Sequence, residues 1–401
     1  MIDYQITIES ETKIDAAITE LLAYLETNSF QGWEPYDIPK WNWLNSPANH
    51  ALRVMITQLY RLSPISLHPY FEQKKIHAKA ATLLARAFLT LYEMTAERQH
   101  YEQALFFLNW IKEHRSETSK NFSIGNQYQL AMKSYDAQPG TPAPLLTCLA
   151  IEAFISAYEI LNDRNFLELA ASGIRYFLEE LPLIKMTDDQ WYFIYHPNNR
   201  QFIPNMPAVI SGTLSHYYAI TNEPELLPVI KNNLNCIVKS QRSDGAWLYH
   251  PGSRYSDNFH TAFILNALAG VRHHLGDRRF ESAFEKGLAY YTRTFFSFRG
   301  RPIHKKIFGL PTNADSFLTR IDLRDCAMGL VFFSFLITHH QYPLALPLNL
   351  LNWTMDHFRS EQGFFHYQKI PFYTIKGPFL SMQAWMLYAL SQLKKSVTIH
   401  R

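Results

Sequence analysis

Cysteine is scarce in this chain of 401 residues: Cys148, Cys236 and Cys326 are far apart and show no C-x-x-C spacing. An odd, scattered set excludes a disulfide framework and fits a reducing compartment. Charge is also thin, at 18% of residues with a net charge of +3. The basic pairs Lys74-Lys75, Arg278-Arg279 and Lys305-Lys306 stand alone, so there is no dense basic face for nucleic acid. No Walker-type G-x-x-x-x-G-K-[ST] loop and no G-x-G-x-x-G occurs, and no cofactor is expected. His273-His274 and His339-His340 are adjacent rather than three or four apart, which points each pair to different helix faces and argues against metal. The first residues lack a basic segment followed by an apolar run, so no secretory signal is expected. The longest apolar stretch, Cys326 to Ile337, falls short of the roughly 20 residues that span a bilayer. The expectation is a cytoplasmic protein without a membrane span.

What is abundant is apolar and aromatic: 47% hydrophobic residues, with 23 Tyr, 28 Phe and 8 Trp. Apolar residues recur three and four apart through 11–27, 47–62, 77–95, 99–114, 143–161 and 164–180. The pattern resumes at 207–220, 223–240, 259–275, 277–297, 322–339, 342–359 and 378–394. Capping signals precede several of these helices, at Asn45-Ser46-Pro47, Thr141-Pro142 and Asn205-Met206-Pro207. Only short pieces, Trp191–Tyr195 and Trp247–Tyr249, alternate as a strand does.

The connections repeat. An aromatic lies 13–16 residues ahead of a helix start at Trp33, Tyr128, Trp191, Trp247 and Phe365. The last four are 63, 56 and 118 positions apart, the final gap being double and filled by a degenerate unit around Arg301–Arg320. A period of about 60 residues is two helices with one long and one short connection. Short links at Asn162-Asp163-Arg164, Thr221-Asn222-Glu223 and Gly276-Asp277 leave every long loop at one rim. The prediction is an all-α, single-domain (α/α)6 toroid over residues 1–401. An extra helix near 77–95 leaves seven inner helices open.

Residues 244–263 are the densest polar stretch: Asp244, Tyr249, His250, Arg254, Tyr255, Asp257, Asn258 and His260. The run Asp244-Gly-x-Trp-x-Tyr249 followed by Asp257-Asn-Phe-His-Thr261 resembles the VpsJ-like family encoded among bacterial exopolysaccharide genes. Gly32-Trp33-Glu34-Pro35-Tyr36-Asp37, Asn45-Ser46-Pro47 and Ser63-Pro64-Ile65 resemble that family's N-terminal region. More distantly the chain is similar to six-hairpin glycosidases and (α/α)-toroid lyases. The resemblance implies an oligo- or polysaccharide substrate and polysaccharide-synthesis enzymes as partners. It assigns no catalytic residue.

The residues themselves suggest acid–base chemistry. A lyase or epimerase acting on a uronate needs a neutraliser for the carboxylate, a base and a proton donor; Asn258, His260 and Tyr255 supply these types. The plainer reading is that Asp257 or Asn258 caps the helix, as Asp244 forms a turn before Gly245. A glycosidase would need two carboxylates, with Asp37, Asp136, Asp244, Asp257, Asp322 and Asp325 as candidates. Arg254, Arg320 and Arg324 could hold a carboxylate, or Arg324 could pair with its neighbours Asp322 and Asp325. Trp33, Trp191, Trp247, Phe365 and Tyr367 serve either as sugar platforms or as packing between repeats. Tyr135, Tyr249, His250 and His366 complete the binding candidates. Two rivals stay open: a silent glycan-binding or assembly protein, and a terpene-cyclase or prenyltransferase-like toroid suggested by Asp-Gly-x-Trp. Lanthionine-synthetase-like proteins share the toroid, but the cysteines here lie in apolar helices without those proteins' zinc motifs.

Overall fold

The computed structural model describes residues 2–38, 41, 46–64, 66–310 and 320–399. Helix α1 (Ile2–Thr27) is followed by α2 (His50–Leu62) and the short α3 (His68–Phe71). Hairpins then follow: α4 (Ala78–Thr95) with α5 (Arg98–Glu113), and α6 (Pro144–Leu161) with α7 (Arg164–Arg175), which a π-helical turn extends over Tyr176–Glu180. Next come α8 (Asn205–Thr221) with α9 (Leu226–Lys239), α10 (Asn258–Leu275) with α11 (Glu281–Phe295), and α12 (Leu323–His340) with α13 (Ala345–Phe358). The last helix, α14 (Leu380–Ile399), packs on α1.

Helices α4, α6, α8, α10, α12 and α14 each pack on the next, and α14 returns to α4, closing a ring of six. The outer partners are α5, α7, α9, α11, α13 and α1. This is an all-α (α/α)6 toroid. The helix at 77–95 is therefore one of the six, and the reading of 47–62 as an inner helix is corrected: α2 lies against the rim, next to the loop strand β1 (Leu130–Met132). Asn45, Ile65 and residues 311–319 of the degenerate unit lie outside the described residues.

Every inner-to-outer link begins with one left-handed residue: Ala96, Asn162, Asn222, Gly276 and Gln341, with φ between 54° and 63°. That conformation reverses the chain within a few residues. The backbone N–H of Ala96, Asn162 and Asn222 bonds back into its own helix, at Tyr92, Tyr158 and Tyr218 respectively. Only Gly276 is a glycine, so the four others accept a conformational cost in exchange for the tight return.

Small antiparallel sheets stitch the long loops at the opposite rim. Strand β1 pairs with β2 (Tyr135–Ala137), and β3 (Leu183–Thr187) with β4 (Gln190–Phe193). Strand β5 (Tyr255–Asp257) pairs with β6 (Lys305–Ile307) from the next long loop. Strand β7 (Ile321–Asp322) pairs with β8 (Gln368–Ile370), which pairs with β9 (Tyr373–Ile375). Trp247–Tyr249 is not a strand; the pairing falls on Tyr255–Asp257 instead.

Inner helices are apolar nearly all round. Helix α6 is long and apolar enough to cross a membrane, with a mean hydropathy of 1.6, but it is a ring helix mostly buried by its neighbours. The three cysteines are unbridged and buried. Within the ring, Phe259, Phe263 and Trp385 meet edge to face at centroid distances of 4.8–6.1 Å. This plug divides the barrel. The guanidinium of Arg324 lies 5.3 Å above Phe259 on the rim side, while Phe263 and Trp385 line a cavity on the other side.

The repeated aromatics are chiefly packing groups. Tyr128, Trp247 and Phe365 are buried in the core. Trp247 Nε1 donates to the Ile237 carbonyl at 3.0 Å, and its ring fills the space that a side chain at Gly287 would need, 2.4 Å from a Cβ there. Trp247→Ala is expected to lower the unfolding free energy by about 3–5 kcal/mol in denaturant titration. A loss below about 1 kcal/mol would show that the ring does not wedge α9, α10 and α11 together.

Candidate functional site

Six inner helices start at one rim, and each leaves backbone N–H groups without helical partners. Side chains meet several of them. Asp257 caps α10, its Oδ1 accepting from His260 N at 2.8 Å. Asp322 caps α12 by accepting from Arg324 N at 3.0 Å, and Asp325 completes a capping box. Glu34 reaches from the first long loop to accept from Ser381 N at 2.8 Å at the start of α14, and Gln127 accepts from Ala78 N at α4. Thr141, in contrast, does not cap α6; its hydroxyl donates to the Gln138 carbonyl at 2.7 Å.

These caps also orient other groups. Asp257 holds His260 Nδ1 at 2.7 Å, leaving Nε2 without a protein partner among the described residues on a side chain 22% exposed. Burial alone would raise the Asp257 carboxyl, but the charge and hydrogen bonds of His260, helped by His304, hold it at about 2. Asp322 binds Arg324 through two bonds of 2.9 and 2.7 Å, accepts from Gln368 Nε2 at 2.5 Å and lies 3.7 Å from Arg320. Asp325 accepts from His304 Nδ1 at 2.9 Å; burial raises its carboxyl, while its charge raises the His304 imidazole against burial.

Tyr36 stands among these groups. Arg61 Nη1 donates to its Oη at 2.7 Å, with the guanidinium 5.3 Å from the ring centroid. Burial would push this phenol up, yet the charges of Arg324 and Arg61 outweigh it and bring Tyr36 below its ordinary value. Every neighbouring phenol goes the other way, driven first by burial: Tyr195 and Tyr255 rise to about 12, and Tyr249 and Tyr367 rise as well. Tyr249 stacks on Tyr255 at 5.3 Å and turns its edge to His260 at 4.8 Å. Lys305 lies 3.7 Å from the Tyr255 ring centroid. Tyr367 is fully buried, and its hydroxyl finds no hydrogen-bond partner among the described residues.

The structure thus brings Tyr249, Tyr255, Asp257, His260, Arg324, Asp325 and Tyr367 together. Others from the sequence reading fall elsewhere. Asn258 is fully buried, with Nδ2 donating to Ile303 O at 3.2 Å and Oδ1 accepting from Tyr291 Oη at 2.8 Å, so its amide is turned into the core. Asp244 is an exposed turn residue bonded to Ala246 N and Arg242 Nε. Asp37 is buried against Lys75 at 2.6 Å, and Asp136 is bound by Arg53 of α2 and by Gln129. Tyr135 stays at the edge of the cluster, stacked on His196 at 4.5 Å and beside Tyr195 at 6.4 Å. Trp33 and Trp191 each have a ring face covered by a lysine, Lys74 at 4.8 Å and Lys185 at 4.3 Å. His250 bonds the Pro251 carbonyl, Arg254 is exposed, and His366 packs beside Phe364.

Sequence reasoning missed Tyr36, Arg61 and His304 as site residues. Tyr36 was visible only as part of the Gly32–Asp37 motif. Arg61 was hidden by the placement of α2 in the ring, and His304 by the lack of any aromatic marker in its unit. Among the described residues no cluster of His, Cys, Asp and Glu has the arrangement of a metal site.

No family model matches this chain, and no curated protein matches it significantly. Solved structures do. A cellobiose 2-epimerase from Spirochaeta thermophila superposes with a TM-score of 0.61 at 13% identity, covering 81% of this chain and 87% of its own. A polysaccharide lyase gives 0.61 at 11% identity over 96% and 98%. The GH76 α-mannanase of Bacteroides thetaiotaomicron gives 0.60 at 11% identity over 80% and 88%. The likeness is one of fold. These neighbours belong to the six-hairpin toroids, and the chain shares that architecture.

The depressed Asp257 carboxyl sets a pH window. Its folded pKa lies below the unfolded value near 4, so its stabilisation of about 2 kcal/mol is present above pH 4 and lost as pH falls through about 2. The stability advantage of the wild type over Asp257→Asn, measured by denaturant unfolding, is expected to vanish across that window. An advantage that stays constant from pH 6 to about 2 would contradict the assignment.

Proposed function

We propose that the rim cluster around Asp257 and His260 is the active site of a carbohydrate-active enzyme, an epimerase or lyase that removes a proton from carbon beside a carboxylate or carbonyl. The observation that carries this reading is the Asp257–His260 pair, with Nε2 unpartnered among the described residues, in a cluster that also holds Tyr36, bonded by Arg61 and lowered by the charges of Arg324 and Arg61. His260 Nε2 takes the proton, and Asp257 stabilises the imidazolium that results. Negative charge then develops on the substrate oxygen. Arg324 and Arg61 oppose it, as do the positive ends of the inner helices. Tyr36 returns a proton, to the opposite face of the same carbon in an epimerase or to the leaving oxygen in a lyase. It replaces Tyr255 in that role because the Tyr255 phenol is raised and its ring is covered by Lys305. The arginines replace Asn258, whose amide is buried and bonded in the core.

A hydrolase is less well supported. It needs an acid and a base carboxyl facing a glycosidic bond, whereas Asp37, Asp136, Asp257, Asp322 and Asp325 are each tied to a cation or a cap. A prenyl-type chemistry would want an apolar chamber, and this rim is charged. The likeness to the VpsJ-like family adds a context, polysaccharide synthesis, in which a uronate-bearing oligosaccharide is the natural substrate to offer.

The test is incubation in D2O with uronate-containing and neutral oligosaccharides, followed by mass spectrometry. Wild type is expected to incorporate one deuterium on epimerisation, or to release an unsaturated product on elimination. His260→Gln is expected to lose about 10²–10⁴-fold in that rate and to remain folded. Tyr36→Phe should also slow turnover while leaving the Asp257–His260 pair intact. Full exchange in His260→Gln would remove the assigned base, and gain of water in the product would replace the reading with hydrolysis.

A further inference from the structure

A cavity of about 830 Å³ occupies the half of the barrel beyond the aromatic plug, at the C-terminal ends of the inner helices. Its mouth includes Glu93, Ala96, Glu159 and Lys395, all at the short-link end. The rim chemistry described above does not reach it, because Phe259, Phe263 and Trp385 stand between. The space exists because small residues, among them Ser156, Gly212 and Gly270, line the wall where a packed core would place larger ones.

The wall is organised. His216 lies between Glu152 at 3.1 Å and Glu159 at 3.3 Å, and stacks on His274 at 4.4 Å. Arg86 approaches Glu152 at 3.7 Å and covers the Tyr388 ring at 4.6 Å. Burial disfavours charge on His216, but the two glutamates override it and hold the imidazole at about 9. His274 is driven down to about 3, first by burial and then by the charge of His216, so it stays neutral. Arg86 Nε and Asn266 Oδ1 are buried without a hydrogen-bond partner among the described residues. Such atoms are costly to leave unmatched and point to a polar ligand.

Charge decides the ligand class. Three carboxylates, Glu93, Glu152 and Glu159, are matched by Lys395, Arg86 and His216. The carbonyl ends of six helices add partial negative charge and disfavour an anion. Apolar surface from Phe263, Phe335 and Trp385 faces this polar wall. A flat ring with hydroxyl edges suits both surfaces, and the volume is within the range of small-molecule sites.

We infer that this cavity is a second binding site, distinct from the rim, for a neutral sugar of one or two rings. Both ring nitrogens of His216 are engaged by carboxylates, which fixes the ring as part of the polar wall. The inference does not depend on the reaction proposed for the rim.

The experiment is calorimetric titration of the full chain with glucose, mannose, galactose, maltose, cellobiose and galacturonic acid. Four proteins are compared: wild type, Glu152→Gln, Gly270→Phe and His260→Gln. A Cβ at Gly270 meets only His274 Cδ2, at 3.8 Å, so phenylalanine there fills the cavity without straining the helix; circular dichroism checks the fold. Saturable binding of at least one neutral sugar is expected in wild type and in His260→Gln. It should weaken at least about tenfold in Glu152→Gln and vanish in Gly270→Phe, whose deuterium exchange at the rim stays at the wild-type rate. Binding unaffected by Gly270→Phe, binding lost in His260→Gln, preference for galacturonic acid, or no saturable binding of any of these sugars overturns the inference.

Discussion

Six parallel helices that begin at one rim must satisfy their first N–H groups there, and the way this chain does so shapes everything around it. Carboxylates supply much of the answer: Asp257 at α10, Asp322 with Asp325 at α12, and Glu34 at α14. A buried carboxylate needs more partners than one cap provides. Asp257 therefore recruits His260, Asp322 recruits Arg324, and Asp325 recruits His304. The groups proposed for acid–base chemistry at the rim are in this sense the second partners of the helix caps.

The same geometry gives the barrel two different ends. The rim collects positive helix ends and guanidiniums, which suits a reaction that builds negative charge. The opposite end collects carbonyls, balanced ion pairs and neutral imidazoles, which suits an uncharged ligand. An aromatic plug keeps these environments apart, with Phe259 directly after the capping pair Asp257-Asn258 and Phe263 one helical turn further on. A single inner helix, α10, thus contributes to the cap, the proposed rim base, the plug and the lower cavity.

Much of the architecture was legible because inner and outer helices carry a regular apolar period and their links are short. The all-α toroid, most helix limits within a few residues (α1 begins nine residues earlier than read) and the rim carrying the long loops all follow from that pattern. The ring membership of α2 and α4 was not legible. Both are amphipathic helices after a plausible start, and only packing distinguishes a rim helix from a ring helix. The Asp257–His260 pair could be read from sequence because an N-cap and the third residue of its helix are neighbours. The grouping of Tyr36 and Arg61 with Arg324, a candidate already named from the sequence, could not, since the three come from separate elements of the chain. Trp247 misled for a related reason: a repeated aromatic beside polar residues reads equally as platform or wedge, and Gly287 decides for the wedge.

The account depends on His260 presenting an unprotonated Nε2 because Asp257 claims the Nδ1 proton. Nitrogen-15 NMR of histidine-labelled protein reads the tautomer directly. With the ring neutral, the proton is expected on Nδ1, with Nε2 showing the shift of a free lone pair, and that preference should be lost in Asp257→Asn. A neutral ring with its proton on Nε2 would leave the rim without its base and contradict the link between helix capping and chemistry.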